Sequence, residues 1–356
     1  MLFQSRLNID FTVYFCKMVL FFQDGTSGLD GGGQAVWKTV LRRLLILVPQ
    51  LFVLSVFIFF IAQYMPGDAL TGRIDPKTSP QRLEELRRMW GFYDPWHVKY
   101  GRWIGNAIKG DFGISFAYKV PVTQVVMEKA RNTFWLGLLT VGLTYLIAIP
   151  LGVLSGMYHD KIPDRTITLY SYLALAMPTI IAGLLAILVF SFELGWFPYG
   201  GTVSADSFER GSVYYILSRL HHMFLPAMTG AIVSTSAIIQ FLRSEIVDYE
   251  QSDFVITARS KGVPRRVIYS KHIFRNSMIP VASFMGYSIS GVLTGSIFLE
   301  TVFAYPGMGR LFIDSVSGRD YSVANALIIF FAMLIVLGTL LSDIIMYVVD
   351  PRLKIK

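Results

Sequence analysis

Long stretches almost free of charge alternate along this chain with short polar stretches, most of them basic. Apolar runs cover residues 44–64, 133–158, 166–192, 223–242, 276–299 and 321–342. Each run reaches the ~20 residues that a helix needs to cross a ~30 Å hydrocarbon core. Buried helices of soluble proteins rarely stay uncharged for so long. The pattern predicts an all-α membrane protein with six transmembrane helices and both termini on one side. It divides the chain into an N-terminal extension (1–36), a first transmembrane helix (37–65), an external helical subdomain (66–132), a core of five further spans (133–350) and a short tail (351–356).

Composition agrees with the pattern: 53% of residues are hydrophobic and only 16% are charged, against roughly 25% charged in soluble domains. Charge also orients the chain. Lys38, Arg42 and Arg43 precede the first run, Lys161 and Arg165 follow the second, and Arg352, Lys354 and Lys356 follow the last. The short loops of opposite phase, 193–222 and 300–320, hold two Lys/Arg residues each. The positive-inside rule then places both termini in the cytoplasm. The net charge of +8 belongs to membrane-flanking loops and calls for no nucleic acid.

The single cysteine, Cys16, excludes an internal disulfide and a cysteine-based metal cage. The apolar stretch 11–22 is too short to span and is interrupted by Lys17. It reads as an interfacial anchor or an incidental extension rather than a cleaved signal peptide. The external segment has its own helical punctuation. Ser79-Pro80 opens one helix and Gly91 closes it; Asp94-Pro95 opens a second that ends at Gly110. Trp96, Tyr100, Trp103, Ile104, Ala107 and Ile108 share one face of that second helix, which predicts packing on the spans or in the interface. A third short helix is expected over 122–131.

The most informative polar stretch is 243–275, a basic, amphipathic segment between two apolar runs. Thr257-Ala258-Arg259-Ser260-Lys261-Gly262 reads as a helix ending on a glycine, with Pro264 preventing its continuation. Arg243, Arg259, Lys261, Arg265, Arg266, Lys271 and Arg275 place the segment in the cytoplasm as a solvated docking surface. Small Ala258 and Gly262 are expected to admit a partner's backbone, with Asp253, Thr257, Arg259 and Lys261 completing the surface.

At these residues the sequence resembles the permease subunits of ATP-binding-cassette importers, in the form of the peptide and nickel branch and its B-type oligopeptide subunits. Pro66-Gly67-Asp68, Gly110-Asp111-Phe112-Gly113, Leu194-Gly195-Trp196-Phe197-Pro198, Glu300-Thr301-Val302-Phe303 with Pro306-Gly307-Met308-Gly309, Arg319-Asp320-Tyr321 and Asp350-Pro351-Arg352 extend the likeness in one order. The glutamate that opens the coupling loop in sugar importers is absent here, where Ile256-Thr257-Ala258 stands. The resemblance implies the type I importer fold and a heterodimer with a second permease subunit. It also implies two ATPase subunits docked on 253–262, an external solute-binding protein and an oligopeptide cargo.

No catalytic constellation is present: the chain has no nucleotide phosphate loop, no His-Glu-x-x-His and no Gly-x-Ser-x-Gly. The reading is a translocation subunit, not an enzyme, with no cofactor, no metal and membrane lipid as solvent. His221-His222 reads as an interfacial or loop pair, and Glu300 as the outer end of the fifth run. An ion-coupled carrier would need carboxylates within the membrane, where Asp343 stands alone. Small and polar residues, including Thr140, Thr144, Ser171, Ser234, Thr235, Ser236 and Ser296, punctuate the spans and serve close packing or a pore. Their density in the fifth run marks Ser288, Ser290, Gly291, Thr294 and Gly295 as a pore-facing strip. A neutral passage of this kind suits peptides of varied side chain; dipeptide or nickel import on the same architecture is the alternative. Pro49, Pro150, Pro178 and Pro226 are candidate kinks.

The topology is testable directly. A cysteine replacing Trp103 should react with a membrane-impermeant thiol reagent from outside the cell, and reaction only from the cytoplasmic face would overturn it.

Overall fold

The computed structural model describes residues 45, 46, 48–60, 81, 85, 88, 93–204, 212–278, 281, 288, 291, 292 and 296–349, with side chains to 342. The expectations at 1–36, 66–80, 279–280, Gly286, Ser290, Thr294, Gly295, the Asp343 side chain and 350–356 lie outside the described residues. The described chain is helical, and an isolated antiparallel bridge joins Ile114 to Pro121. Its helices are α1 (Val48–Phe60), α2 (Trp96–Ile108), α3 (Val122–Met157), α4 (Ile162–Ala176), α5 (Thr179–Ala186, widening to π geometry over Ile187–Glu193) and α6 (Val213–Glu250). After these come α7 (Asp253–Ser260), α8 (265–278, with a π stretch at Ile268–Ile273), α9 (Ile297–Val302), α10 (Met308–Ser317) and α11 (Tyr321–Val349). Among the described residues, α3, α6 and α11 are long and apolar enough to cross a membrane. The α4–α5 pair makes a fourth crossing if it counts as one span.

The second external helix packs as its pattern predicts. The α2 aromatic face lies on α1, with Tyr100 5.4 Å from Phe59 and Trp96 5.5 Å from Phe60 between ring centres. Ser55 and Tyr100 share a hydroxyl hydrogen bond of 2.7 Å. Gly110 ends α2 with φ +79°, a conformation that only glycine adopts without strain. The loop that follows is clamped to the last span. Asp320 caps α11 through the Val323 N–H and also accepts from Ser115 Oγ at 2.5 Å and from the Ala117 N–H at 3.0 Å.

Two expected boundaries differ. The short helix expected over 122–131 and the span after it are one continuous α3, so the 132/133 division falls inside a helix. Nothing between Val122 and Met157 interrupts the backbone ladder except Pro150, which the helix accommodates. The 166–192 run, by contrast, is not one straight helix: α4 and α5 meet at 102°. The break falls at Pro178, where the residue before the proline leaves helical geometry, as proline favours. Met177 takes ψ 114° and Pro178 ψ 132°, so two successive extended residues turn the chain. Pro226 lies within an unbroken α6.

α3 and α6 form the centre of the packing. Gly152 and Gly156, one helical turn apart, let α6 come so close that a Cβ on Gly156 would lie 2.7 Å from Ile246. Leu242, Ile246, Ile239, Ala148 and Tyr145 then join Val255, Ile268 and Ile273 in one buried cluster. This cluster seats α7 and α8 on the same ends of α3 and α6.

A buried ion pair closes that end. Arg243 makes two hydrogen bonds to Asp164, at 2.6 and 2.8 Å, while Asp164 also accepts from Ser155 Oγ at 2.6 Å and the Asp160 N–H at 2.8 Å. Arg243 therefore belongs to α6 and to an ion pair, not to the solvated loop. Its guanidinium, with Ser155 and the Asp160 amide, holds the Asp164 carboxyl well below the usual carboxylate range against the opposing effect of burial. Replacing Asp164 by Ala leaves a half-buried cation without its partner and should destabilise the fold by about 3 kcal/mol, measured as a fall in thermal midpoint in detergent. Because the folded carboxyl is depressed, its contribution is present above the unfolded value and lost only in strong acid. The deficit of Asp164→Ala should therefore be constant between about pH 5 and 8.

Candidate translocation cavity and coupling helix

A cavity of about 460 Å³ opens between α3, α6, the start of α5 and residues 288–300. Along α3 its wall runs from Thr133 through Thr140 and Thr144 to Tyr145, and along α6 from Gly230 through Ser234 to Ile238. Ser288 and Gly291 of the predicted strip line it; Ser290, Thr294 and Gly295 lie outside the described residues. Thr140 and Thr144 donate to carbonyls four residues earlier, so their hydroxyl oxygens present lone pairs to the space. Tyr145, not expected from sequence, shares a 3.0 Å hydrogen bond with Ser288. The hydroxyls divide between two jobs. Ser236 donates to the Ser171 carbonyl at 2.8 Å and Thr235 pairs with Tyr170 at 3.0 Å, so these three fasten α6 to α4.

One end of the cavity is closed by Glu300, expected at the surface beside an external loop and instead fully buried. Its carboxylate accepts from Thr133 Oγ1 at 2.8 Å, the Gly309 N–H at 2.6 Å and the Arg310 N–H at 3.1 Å. Those two amides are orphan donors of the first turn of α10, so Glu300 caps that helix from a distance. A Cβ on Gly307 would stand 2.3 Å from the carboxyl carbon, which explains the glycine there. The spacing of Glu300, Gly307 and Gly309 was visible in the sequence; the third partner, Thr133, lies 167 residues away.

α7 forms where the sequence puts a helix. Ser252 precedes it, and Gly262 follows with φ +73°. The Gly262 N–H donates to Arg259 O at 2.9 Å and the Val263 N–H to Ala258 O at 3.1 Å, the paired bonds of a Schellman cap. Asp253, Thr257, Arg259, Lys261 and Gly262 are exposed. Ala258 is not: with Val255, three residues earlier, it faces the core. The outward face instead presents Phe254 and Ile256, 40% and 52% exposed. The basic rim is partly paired. Arg259 bonds Glu250 at 2.5 Å, and Arg265 donates to the last carbonyl of α3, Met157 O, at 3.0 Å while lying over the Tyr269 ring.

The histidines take structural positions. His221 bonds the Trp196 carbonyl and buried His222 bonds the Ser218 carbonyl, their rings turned 88° apart. His159, Asp160 and Asp164 bring ligand atoms within 4.8 Å of one another, but both Asp164 oxygens are already taken by Arg243, Ser155 and an amide.

The glycine cap is separable from any docking role, since nothing lies within 4 Å of where a Gly262 Cβ would be. Gly262→Leu should lose about 1–2 kcal/mol through the left-handed conformation alone, whereas Gly262→Asn should lose markedly less. Equal thermal midpoints for the two variants would refute this.

The family described as the binding-protein-dependent transport system inner membrane component matches residues 148–355. The oligopeptide transport system permease protein AppB of Bacillus subtilis (strain 168) is 37% identical over 316 residues, 88% of this chain and 98% of its own. The glutathione transport system permease protein GsiC of Escherichia coli (strain K12) is 33% identical over 317 residues, 89% of this chain and 99% of its own. A chain of the MetNI methionine ABC transporter, in inward facing conformations, overlays with a TM-score of 0.49 at 15% identity, covering 64% of this chain and 97% of that one. The chain belongs to the binding-protein-dependent transport system inner membrane components, as a permease of the peptide and nickel branch of ABC importers.

Proposed function

We propose that this permease carries oligopeptides into the cell as one of two unlike transmembrane subunits, with two ATPase subunits below and a solute-binding protein outside. The observation that carries the cargo is the cavity wall. Thr140, Thr144, Tyr145, Ser234 and Ser288 offer hydroxyls, and Glu300, the ionisable carboxylate among the described lining, is spent on α10. Hydroxyls set in an otherwise apolar wall satisfy peptide backbone groups while remaining indifferent to side-chain charge. Nickel would call for convergent imidazole or carboxylate ligands, and the described lining holds no histidine. The similarity to an oligopeptide permease points the same way, and that to a glutathione permease keeps short peptides within range.

Six spans with cytoplasmic termini follow from the charge pattern, which puts Thr133 and Glu300 at the outer end of the cavity and α7 in the cytoplasm. There Phe254 and Ile256, flanked by Thr257, Arg259, Lys261 and Gly262, form an apolar anchor with a basic rim for the ATPase. Asp253 opens the helix, and Ala258 holds it to the core. Ser234 and Gly291 are both exposed and cavity-lining, so the second permease subunit completes the passage at that side.

A strain lacking only this chain tests the cargo. It should fail to grow on an essential amino acid supplied as a tetra- or pentapeptide and take up nickel normally. Unchanged peptide growth with impaired nickel uptake would reject oligopeptide import.

A further inference from the structure

The short helix α9 is held at close quarters on several sides. Six residues long, it is surrounded by glycines whose Cβ positions its own neighbourhood fills. A Cβ on Gly230 of α6 would lie 2.6 Å from Leu299, one on Gly309 2.7 Å from Ile297 Cα, and one on Gly183 of α5 3.0 Å from Val302. Gly200 stands in the same relation to the Phe303 carbonyl, at 2.8 Å, and Gly137 of α3 to the backbone of Val292, at 2.7 Å. These apolar contacts are close but undirected. The directed link from α9 to α3 is the bond from Thr133 to Glu300.

The direction of that bond is fixed by its surroundings. Thr133 Oγ1 accepts from the Met308 N–H at 2.8 Å, so its proton goes to Glu300. Glu300 gathers the hydroxyl on one oxygen and two α10 amides on the other. The next residue of α3 adds a second tie to the same turn: Asn132 donates to Pro306 O at 3.0 Å. α9 and the start of α10 thus move as one capped unit, fastened to α3 at residues 132 and 133, across the end of the cavity.

We propose that this unit is the gate at the Thr133 end of the passage, and that Glu300 and Thr133 are positioning residues that latch it shut. Alternating access requires this end to open, so α9 must part from α3 or α6. Parting from α6 separates apolar atoms of α9 and, beyond it, the Tyr305 hydroxyl from Arg219, whereas parting from α3 deprives the buried Glu300 carboxylate of its hydroxyl donor. Removing that donor, or the charge it serves, lowers the difference between closed and open states and shifts the population toward open.

The inference rests on transport through this cavity and not on the cargo. Its test uses the complete transporter in right-side-out membrane vesicles, with Cys16→Ser removing the native thiol and Ser234→Cys reporting from the cavity wall. An impermeant maleimide is applied, and labelling of this chain is read by mass. Thr133→Val, which keeps the shape and removes the hydroxyl, takes away both the donor to Glu300 and the acceptor of the Met308 N–H, so it should raise the rate by at least about tenfold, the effect of losing one hydrogen bond to a charged group. Glu300→Gln should do likewise, and Thr133→Ser should label at the native rate. Thr133→Val changes a single heavy atom, so it carries the test if Glu300→Gln fails to assemble. Native labelling in Thr133→Val with reagent on either side of the membrane would overturn the latch, as would a Thr133→Ser rate matching Thr133→Val. A rise seen only with reagent sealed inside the vesicles would uphold the latch and reverse the proposed orientation. Peptide uptake is not read, so a wrong cargo leaves these outcomes unchanged.

Discussion

A carboxylate removed from water has to gather donors, and in a chain mostly solvated by lipid those donors must come from the protein itself. Three such carboxylates organise the described structure. Asp164 collects Arg243, Ser155 and an amide where α3 ends, α4 begins and α6 nears its end. Asp320 collects Ser115, the Ala117 amide and the first turn of α11. Glu300 collects Thr133 and the first turn of α10. Each joins elements far apart in sequence. Where Glu300 and Asp320 meet a helix start, the macrodipole offers favourable charge as well as unpaired N–H groups. The apolar packing permits many sliding arrangements of these helices; the carboxylates select one.

Close approach is the complementary constraint. Lipid tails are as apolar as leucine, so helices in a membrane gain from contact only by fitting closely. Gly152 and Gly156 let α3 meet α6 at one end, and Gly137 and Gly230 admit residues 292 and 299 at the other. The cavity opens beside the second of these regions, and Gly137, Gly230 and Gly291 are part of its lining.

What could be read from the sequence followed from how local its causes were. The Schellman end at Gly262 and the aromatic face of α2 each depend on residues within a few turns, and both took the expected form. The coupling surface was half legible. A basic amphipathic segment showed that a helix would lie there, but not that Ala258 faces inward while Phe254 and Ile256 face out, because that depends on where α6 ends. The prolines were ambiguous for a similar reason: Pro178 breaks its helix and Pro150 does not, and tertiary packing decides between them. Glu300 was the clearest miss. Its partners lie next to it in the chain on one side and 167 residues away on the other, so no local pattern marks it as buried.

With α7 as the proposed ATPase docking surface, the same packing links that surface to the cavity wall. α6 is unbroken from Gly230, on the cavity wall, to Glu250, which holds Arg259 of the coupling helix. At 1.5 Å per residue this is a strut of roughly 30 Å. Val255 and Ala258 seat α7 on the cluster that includes Leu242 and Ile246 of that strut, while Arg265 fastens α8 to the end of α3. In the proposed docking, a push on Phe254 and Ile256 passes to α6 through this packing, and the Asp164–Arg243 pair ties α4 to the same end of α6. The two walls of the cavity belong to those same helices, so relative motion of α3 and α6 changes the passage without any additional moving part.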